Sequence, residues 1–266
     1  MNNSNKFIII AGPCLVETKE ICETVAQELK RITTKLDIEY IFKASYRKAN
    51  RTSISSFVGI GDRKALDILA EIRQEFNVKV ITDIHSPQEA PLAAEYCDAL
   101  QIPAFLSRQT ELLQAAGMTG KLVNIKKGQF MAPVDIIRAA EKVTATGNHN
   151  VWLTERGTSF GYHDLVVDMR GMIILKQSPY PVLFDATHSV QQPSIGVTSG
   201  GQPQFSEKLA LAAVATGIDG VFFETHPEPT KAKSDASTQL PLEKAENFIK
   251  KLLVIREAVC SLKSLQ

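Results

Sequence analysis

The chain has 266 residues, of which 44% are hydrophobic, and its 30 basic and 29 acidic side chains leave a net charge of +1. This balance gives no global field that would draw the protein to nucleic acid or to a membrane, so any basic site must be local. No apolar run approaches the roughly 20 residues that span a bilayer, and residues 1–6 lack the apolar core of a signal peptide. We therefore expect a cytoplasmic protein with four reduced, buried cysteines, which are Cys14, Cys22, Cys97 and Cys260.

Eight short apolar runs alternate with longer amphipathic segments along the chain. The runs are continuous, as expected of parallel strands that are buried on both faces. They cover residues 7–11, 39–42, 78–82, 99–102, 122–125, 151–154, 182–184 and 220–223. The segments between them carry apolar residues at spacings of three and four, which is typical of helices. The predicted helices cover residues 17–36, 63–76, 87–96, 109–116, 133–146, 164–176, 205–216 and 242–262.

This regular succession of strand–helix units predicts the α/β class and, within it, a (β/α)₈ TIM barrel. Such barrels commonly take about 250 residues, and we expect one catalytic domain over residues 1–266. Periodicity alone leaves a doubly wound open sheet as the alternative fold. The long connections 194–204 and 225–241 both follow strands, so they are expected on the C-terminal face as lids or binding loops.

Polar side chains interrupt or follow the apolar runs at most of the predicted strand ends. They are Cys14, Lys43, Asp83, His85, Lys126, Glu155, Arg156, Asp185, His188 and Glu224. In a barrel these residues converge on the C-terminal mouth, where active sites lie. Any one of them could be a rim side chain that reaches solvent, but the repetition favours a functional site.

One cluster among these residues is basic. It contains Lys43, Arg47, Lys48 and Arg51 around the loop after the second strand, and Lys126, Lys127 and Arg156 near the fifth and sixth strands. In a nearly neutral protein this concentration favours a small polyanion such as a phosphate or a carboxylate. A solvated basic loop is the alternative. A nucleic-acid site is disfavoured because aromatic residues do not interleave with the cations.

A second cluster consists of Cys14, His188, Glu224 and Asp235. In a closed barrel the first and eighth strands adjoin, which would bring most of these residues together. Thiolate, imidazole and carboxylate groups suit Zn²⁺, Fe²⁺ or Mn²⁺ better than Mg²⁺. Their spacing is not a compact ligand motif, so a buried thiol at Cys14 and a surface ion pair between Asp235 and nearby lysines remain alternatives.

Nine short motifs follow one another along the chain. They are AGPC at 11–14, FKAS at 42–45, KANRTS at 48–53, TDIH at 82–85, QIPAF at 101–105, NIKKGQ at 124–129, TERG at 154–157, DATHSVQ at 185–191 and FETH at 223–226. Together they resemble the 3-deoxy-D-manno-octulosonate 8-phosphate synthases, also called 2-dehydro-3-deoxyphosphooctonate aldolases. The resemblance implies a (β/α)₈ barrel that assembles as a homotetramer. It also implies condensation of phosphoenolpyruvate with D-arabinose 5-phosphate and water, releasing phosphate, for lipopolysaccharide biosynthesis.

The resemblance also implies roles for individual residues. Positions around phosphoenolpyruvate are matched by Lys43, Ser45, Lys48, Gln101, Ala104, Lys126 and Arg156. Positions that hold arabinose 5-phosphate, chiefly its phosphate, are matched by Asn50, Arg51 and Thr52, and Asp83 matches a residue near this sugar. The catalytic residues implied are Lys48, Asp83 and His188.

The same resemblance matches the second cluster to the ligands of a divalent metal ion. Cys14, His188, Glu224 and Asp235 correspond to the ligands of the metal-dependent branch, whereas metal-independent members carry Asn in place of Cys14. The ion would be Zn²⁺, Fe²⁺ or Mn²⁺. Polarisation of the aldehyde and positioning of the water are both open roles for it.

Two other functions stay open on the sequence alone. A synthase of the same superfamily would use erythrose 4-phosphate, but that family has a Lys-Pro-Arg pattern where this chain has Lys48-Ala49-Asn50-Arg51. A non-catalytic barrel that binds a sugar phosphate is the other possibility. It is disfavoured because both the basic cluster and the four candidate ligands are retained.

Overall fold

The computed structural model describes residues 6–51, 53–192 and 200–265. The predicted substrate residue Thr52 and residues 194–199 of the first long connection lie outside the described residues. Among the described helices, none is both long enough and apolar enough to cross a membrane.

Eight parallel strands form the centre of the structure. They are β1 (Ile8–Gly12), β2 (Glu39–Lys43), β3 (Lys79–Asp83), β4 (Ala99–Ile102), β5 (Leu122–Lys126), β6 (Val151–Glu155), β7 (Val182–Asp185) and β8 (Gly220–His226). Each strand pairs with the next, and β8 also pairs with β1, with Ile8 opposite Gly220. This pairing closes the sheet into the predicted (β/α)₈ barrel, and the open-sheet alternative is wrong.

Side chains along the strands alternate between two hydrophobic cores. Eight residues, one or two from most strands, fill the barrel interior: Ile8, Ile10, Ile41, Ile81, Ala99, Trp152, Leu183 and Phe222. Their sequence neighbours point outward and pack against the helices in a larger core. Both faces are therefore apolar, which is why the strands appear in the sequence as continuous apolar runs. The alternation also decides which polar residues at the strand ends face the mouth.

Eight α-helices follow the strands. They are α1 (Lys19–Lys35), α2 (Asp62–Glu75), α3 (Glu89–Tyr96), α4 (Thr110–Met118), α5 (Pro133–Thr144), α6 (Met169–Leu175), α7 (Ser206–Ala215) and α8 (Ala245–Lys263). The prediction for α6 began too early. Residues 165–166 instead pair with 158–159 in a short antiparallel hairpin, and the Asp168 side chain then caps the helix by accepting from the backbone N–H of Arg170.

Two local features shape the mouth near β1 and β8. A Cβ atom on Gly12 would lie 2.0 Å from the carbonyl oxygen of Lys43, so only glycine allows β1 to approach β2 this closely. After β8 the long connection returns along the same strand, where Thr225 pairs with Leu240 and His226 with Pro241. This return brings Asp235 back over the barrel mouth.

The cysteines are partly as predicted. Cys14, Cys22 and Cys97 are buried, and all four cysteines are free. Burial raises the pKa of Cys22 and that of Cys97 to about 12, which makes both thiols unreactive at neutral pH. The prediction is wrong for Cys260, which is exposed near the end of α8.

Candidate active site

A cavity of about 300 Å³ opens at the C-terminal mouth of the barrel. Most of the predicted substrate residues line it, namely Lys43, Ser45, Lys48, Asn50, Arg51, Asp83, Ala104, Lys126 and Arg156. The predicted ligands His188, Glu224 and Asp235 line it too. Gln101 does not reach the cavity wall but donates a hydrogen bond to Asp83 from directly behind it. The barrel thus brings residues from strands far apart in the chain to one site.

Several residues that line the cavity were not singled out as substrate residues by the sequence. They are Arg47, His85, Pro103, Phe105, Gln129 and Gln191. Gln129, Phe105 and Gln191 fall at the ends of motifs, and that position is the signal that could have identified them. One predicted member of the basic cluster is absent from the lining. Lys127 is fully buried and donates to the carbonyl oxygens of Gly128, Met131 and Gly157, so its role is to hold loops together.

Two arginines give the cavity its capacity to bind anions. The Nε of Arg51 and the Nη1 of Arg156 are buried, and neither finds an acceptor among the described residues. Arg156 otherwise donates only weakly, through Nη2 to Gln191 at 3.3 Å. Burial lowers the pKa of Arg156, and the carboxylates of Asp185 and Glu155 compensate only in part. Buried guanidinium groups with free donors are suited to phosphate or carboxylate oxygens.

Three of the predicted metal ligands lie together beside β1 and β8. One donor atom each from Cys14, Glu224 and Asp235 lies within 4.8 Å of the others. His188 is adjacent, with Nε2 3.7 Å from Glu224 Oε1 and 3.8 Å from Asp235 Oδ2. The side chain of Asp235 is only 5% exposed, so the alternative of a surface ion pair with neighbouring lysines is wrong.

Two lysines neutralise these acidic groups. Lys43 Nζ lies 2.8 Å from Glu224 Oε1, and Lys48 Nζ lies 2.6 Å from Asp235 Oδ2 and 3.2 Å from Cys14 Sγ. We call Cys14, Lys43, Lys48, Glu224 and Asp235 the charged wall. Burial by itself would lower the pKa of Lys43, but Glu224 and Asp83 outweigh it and raise that pKa. The two carboxylates of the wall are thus balanced by two ammonium groups.

Cys14 is a neutral thiol within this wall. Burial raises its pKa well above the usual range, and the charge of Glu224 adds to the effect. The pKa of Asp235 is lowered despite burial, chiefly by the charges of Lys48 and His188. At neutral pH the anion beside Lys48 is therefore Asp235 rather than Cys14.

A hydrogen-bond network fixes the orientation of His188. Asp185 Oδ2 accepts from His188 Nδ1 at 2.8 Å and from Lys126 Nζ at 2.7 Å. The charges of His188 and Lys126 lower the pKa of Asp185 even though its burial opposes this. Because Nδ1 is engaged with a carboxylate, Nε2 is directed toward Glu224 and Asp235. A carboxylate behind the imidazole is the usual support for a histidine that binds a metal ion.

The side of the mouth formed by β3 to β6 carries a row of hydrogen bonds between neutral side chains, and this row ends on one carboxylate. Asp83 accepts from Ser45 at 2.5 Å and from the Gln101 amide at 2.8 Å. Gln101 accepts from Asn124 at 2.9 Å, and Asn124 accepts from the Thr154 hydroxyl at 2.7 Å. We call Asp83, Gln101, Asn124 and Thr154 the amide chain. It links β3, β4, β5 and β6 just below the cavity.

The loop after β2 is anchored from outside the cavity by Glu89, a residue that the sequence did not suggest. The Glu89 carboxylate accepts from the Tyr46 hydroxyl, from Arg47 and from the backbone N–H of His85. Burial opposes ionisation, but the hydrogen bonds from His85 and Tyr46 dominate and lower the pKa of Glu89 to about 2. An ionised Glu89 therefore fixes the start of the segment that carries Lys48 and Arg51.

Comparisons with known proteins agree with this geometry. Residues 2–259 match the model of the DAHP synthetase I family. The chain is 53% identical to a 2-dehydro-3-deoxyphosphooctonate aldolase of Granulibacter bethesdensis, over 94% of this chain and 89% of the relative. Proteins of the same name are 53% identical in Koribacter versatilis and 50% in Brucella anthropi, over 96% and 95% of this chain and 92% and 91% of the relatives. The chain therefore belongs to the DAHP synthetase I family and, within it, to the 2-dehydro-3-deoxyphosphooctonate aldolases.

Proposed function

We propose that this enzyme condenses phosphoenolpyruvate with D-arabinose 5-phosphate and water. The products are 3-deoxy-D-manno-octulosonate 8-phosphate and inorganic phosphate, and the step serves lipopolysaccharide biosynthesis. The observation that carries the proposal is one cavity whose lining combines two guanidinium groups that have free donors with the imidazole of His188 and the carboxylates of Glu224 and Asp235. The Cys14 thiol lies beside these two carboxylates. The relatives that carry the name of this aldolase support the choice of substrates.

The two anionic substrates are assigned to opposite parts of the basic lining. Lys126 and Arg156 would hold the phosphate of phosphoenolpyruvate, and Asn50, Arg51 and Thr52 would hold that of the sugar. Lys43, Ser45, Lys48 and Ala104 complete the phosphoenolpyruvate site, and Gln101 supports it from behind through its hydrogen bond to Asp83. Two polyanions repel each other in water, and a fixed shell of cations offsets that repulsion. Catalysis then comes from positioning the enol carbon against the aldehyde in a preorganised field.

The chemistry forms one carbon–carbon bond and one carbon–oxygen bond, and it breaks the carbon–oxygen bond to the departing phosphate. Carbon C3 of phosphoenolpyruvate attacks the aldehyde, water adds at C2, and phosphate leaves with its bridging oxygen. Lys48 is protonated, and it can donate a hydrogen bond to the aldehyde oxygen as that oxygen becomes negative. Asp83 stays ionised, because Lys43 and Lys126 lower its pKa in spite of burial, so it can accept a proton or a hydrogen bond. Lys48, Asp83 and His188 are the proposed catalytic residues.

We also propose that the enzyme belongs to the metal-dependent branch, with Cys14, His188, Glu224 and Asp235 as ligands. The donor set fits Zn²⁺, Fe²⁺ or Mn²⁺. One oxygen of this set, Glu224 Oε2, is buried and has no hydrogen-bond partner among the described residues, as expected of an atom reserved for a ligand. When bound, such an ion supplies Lewis acidity beside the reacting groups. The network of Asp185 and Lys126 holds the imidazole of His188 ready for this role.

The proposal extends to assembly and location. We propose a cytoplasmic homotetramer in which residues 1–266 form one catalytic domain. Large apolar side chains remain exposed in the loops after β5 and β6, including Phe130 at 57%, Phe160 at 69% and Tyr162 at 95% exposure. Contact with another subunit would cover these side chains. Light scattering coupled to size-exclusion chromatography measures the molar mass of the assembly and so tests for a tetramer.

The decisive experiment measures phosphate release from phosphoenolpyruvate with each aldose phosphate in turn. We expect turnover with arabinose 5-phosphate and little with erythrose 4-phosphate. Equal or faster turnover with erythrose 4-phosphate would instead make the enzyme the alternative synthase, and no turnover with either would leave a binding protein.

Arg51→Ala tests the sugar site within the same assay. It should raise the KM for the sugar by tenfold to a hundredfold, since a charge-assisted hydrogen bond is worth about 1.5–3 kcal/mol. Arg170→Ala is the matched control, because that arginine is exposed and paired with Asp168 away from the cavity. An unchanged sugar KM in Arg51→Ala would refute the assignment.

A further inference from the structure

We propose that Asn124 and Thr154 are positioning residues for the condensation, which they support by holding the side-chain amide of Gln101 in one orientation. The proposal rests on the proposed function for its activity readout. It concerns two side chains that do not line the cavity and that act through the amide chain.

The strand register places the members of the chain side by side. Asp83 is paired with Gln101, and Gln101 is paired with Asn124. Residues two positions apart in a strand point to the same face. Ile81 and Ala99 belong to the interior core, so Asp83 and Gln101, which lie two positions after them, also point inward. Thr154 lies two positions after the interior residue Trp152 and points the same way. The four side chains therefore form a continuous row beneath the cavity floor.

Burial makes each hydrogen bond in this row necessary. Gln101 is 1% exposed, and Asn124 and Thr154 are fully buried, so water cannot replace a lost partner. A buried amide or hydroxyl that lacks a hydrogen-bond partner lowers the stability of the fold. In the amide chain, each of the acceptors on Asp83, Gln101 and Asn124 meets one donor from the next member. Contacts of 2.7–2.9 Å between successive members are normal for strong hydrogen bonds.

The charge on Asp83 fixes the direction of the whole chain. An ionised carboxylate can only accept, so the NH₂ group of Gln101 must face Asp83. The Gln101 oxygen then faces Asn124, which must present its own NH₂ group. The Asn124 oxygen in turn requires the donor that the Thr154 hydroxyl supplies. Without that hydroxyl, the buried Asn124 oxygen loses its donor, so Asn124 shifts or rotates and its NH₂ group no longer holds the Gln101 oxygen.

A Gln101 held only at its Asp83 end would affect substrate binding through Asp83. Its amide could then shift away from Asp83 or turn about its axis, which loosens the carboxylate that lines the cavity. Ser45, which donates to the other oxygen of Asp83 and also lines the cavity, would move with it. The hydroxyl of Thr154 on β6 thus influences Asp83 at the end of β3 and Ser45 in the loop after β2.

The test is a double-mutant cycle on Thr154 and Gln101, read as the KM for phosphoenolpyruvate and kcat. Thr154→Val removes the hydroxyl at nearly constant volume and should raise this KM about tenfold, the factor that one hydrogen bond is typically worth. Thr154→Ser keeps the hydroxyl and should restore the wild-type KM. In a Gln101→Ala background, Thr154→Val should have no further effect, because its influence passes through the amide that has been removed.

Several outcomes would overturn the proposal. One is a wild-type KM for phosphoenolpyruvate in Thr154→Val. Another is an equal increase in this KM when Thr154→Val is made in the wild-type and in the Gln101→Ala background. If Thr154→Val does not fold, Thr154→Ala enters the same cycle, with circular dichroism as the check of folding. Wild-type enzyme that turns over no arabinose 5-phosphate would count against the proposed function instead. The two failures are therefore distinguishable.

Discussion

The charged wall and the amide chain meet in one barrel mouth, where Lys43 lies 3.7 Å from Asp83, and they hold their side chains in different ways. In the wall, Lys43 and Lys48 balance Glu224 and Asp235 beside a neutral thiol. In the amide chain, each side-chain amide donates to the neighbour on one side and accepts from the neighbour on the other, and only Asp83 is charged. The wall depends on charge balance and so should respond to metal ions and pH. The chain depends on the direction of hydrogen bonds and should be insensitive to both.

Removal of metal is expected to have the largest effect, and it should act through the wall. Exhaustive chelation should abolish activity, and Zn²⁺, Fe²⁺ or Mn²⁺ should restore it. Cys14→Ala should lose bound metal and activity together, as measured by elemental analysis and phosphate release. Cys97→Ala is the matched control, because that thiol is also buried but is not grouped with Glu224 and Asp235.

The opposite outcome would change the interpretation of Cys14. Wild-type protein that stays fully active with no metal left would belong to the metal-independent branch, and Cys14 would be a buried thiol. Cys14→Asn sharpens the test, because metal-independent relatives carry Asn at this position. We expect this variant to keep some activity in the presence of chelator, in contrast to Cys14→Ala.

The second prediction compares the stability of the two regions. Lys43→Met leaves Glu224 and Asp83 without their nearest cation in a buried site, and removal of one partner from such a pair costs about 3–5 kcal/mol. Thr154→Val in the amide chain should cost only about 1 kcal/mol, the value of one neutral hydrogen bond. Urea unfolding with chelator present measures both free energies. Equal losses in the two variants would contradict the distinction between the regions.

The third prediction, whose expected effect is smaller than that of Lys43→Met, concerns the anchor of the loop that carries Lys48. The pKa of Glu89 is about 2 in the folded protein, below its ordinary value of 4.5. A lowered pKa means that the stabilisation is complete above pH 4.5 and is lost as the pH falls toward 2. Glu89→Gln should therefore flatten the acid loss of stability in this range and cost about 1.5–3 kcal/mol at neutral pH.

A neighbouring residue provides the control for this pH experiment. Glu95 lies on the same helix, α3, but is exposed. Glu95→Gln should leave the pH dependence of urea unfolding unchanged. A wild-type pH profile in Glu89→Gln would mean that the carboxylate is not ionised in the folded state over this range.

The charged residues of the mouth could be predicted from the sequence, whereas two of the four members of the amide chain, Asn124 and Thr154, could not. Lys43, Lys126 and Glu224 each interrupt an apolar run at a strand end, so the sequence marks them clearly. Asn124 and Thr154 lie inside the predicted strands and resemble ordinary strand residues. Their partners are 23 and 30 residues away in the chain, and only the barrel register makes them neighbours.

Two predictions failed because the local sequence pattern does not show how the chain is oriented or paired in the fold. Lys127 directly follows Lys126 and looks equally basic in the sequence. Lys126 is the last residue of β5 and Lys127 follows it, and neighbouring residues of an extended chain point to opposite sides. Lys126 therefore reaches the cavity, whereas Lys127 is enclosed by carbonyl groups. Helix α6 was predicted to begin at residue 164, because the spacing of apolar residues cannot distinguish a helical turn from a hairpin whose strands are two residues long.

The sequence by itself determined the succession of eight strands and helices, and the set of polar residues at their ends, because the period of apolar residues is a local property. Its motifs also determined the family. Only the tertiary structure decided that the sheet closes, which lysines face the cavity and how the Asp235 loop returns to the site. It also decided the partners of Asn124, Thr154 and Glu89. These outcomes depend on strand register and on long-range hydrogen bonds, which join residues far apart in the chain and leave no local pattern.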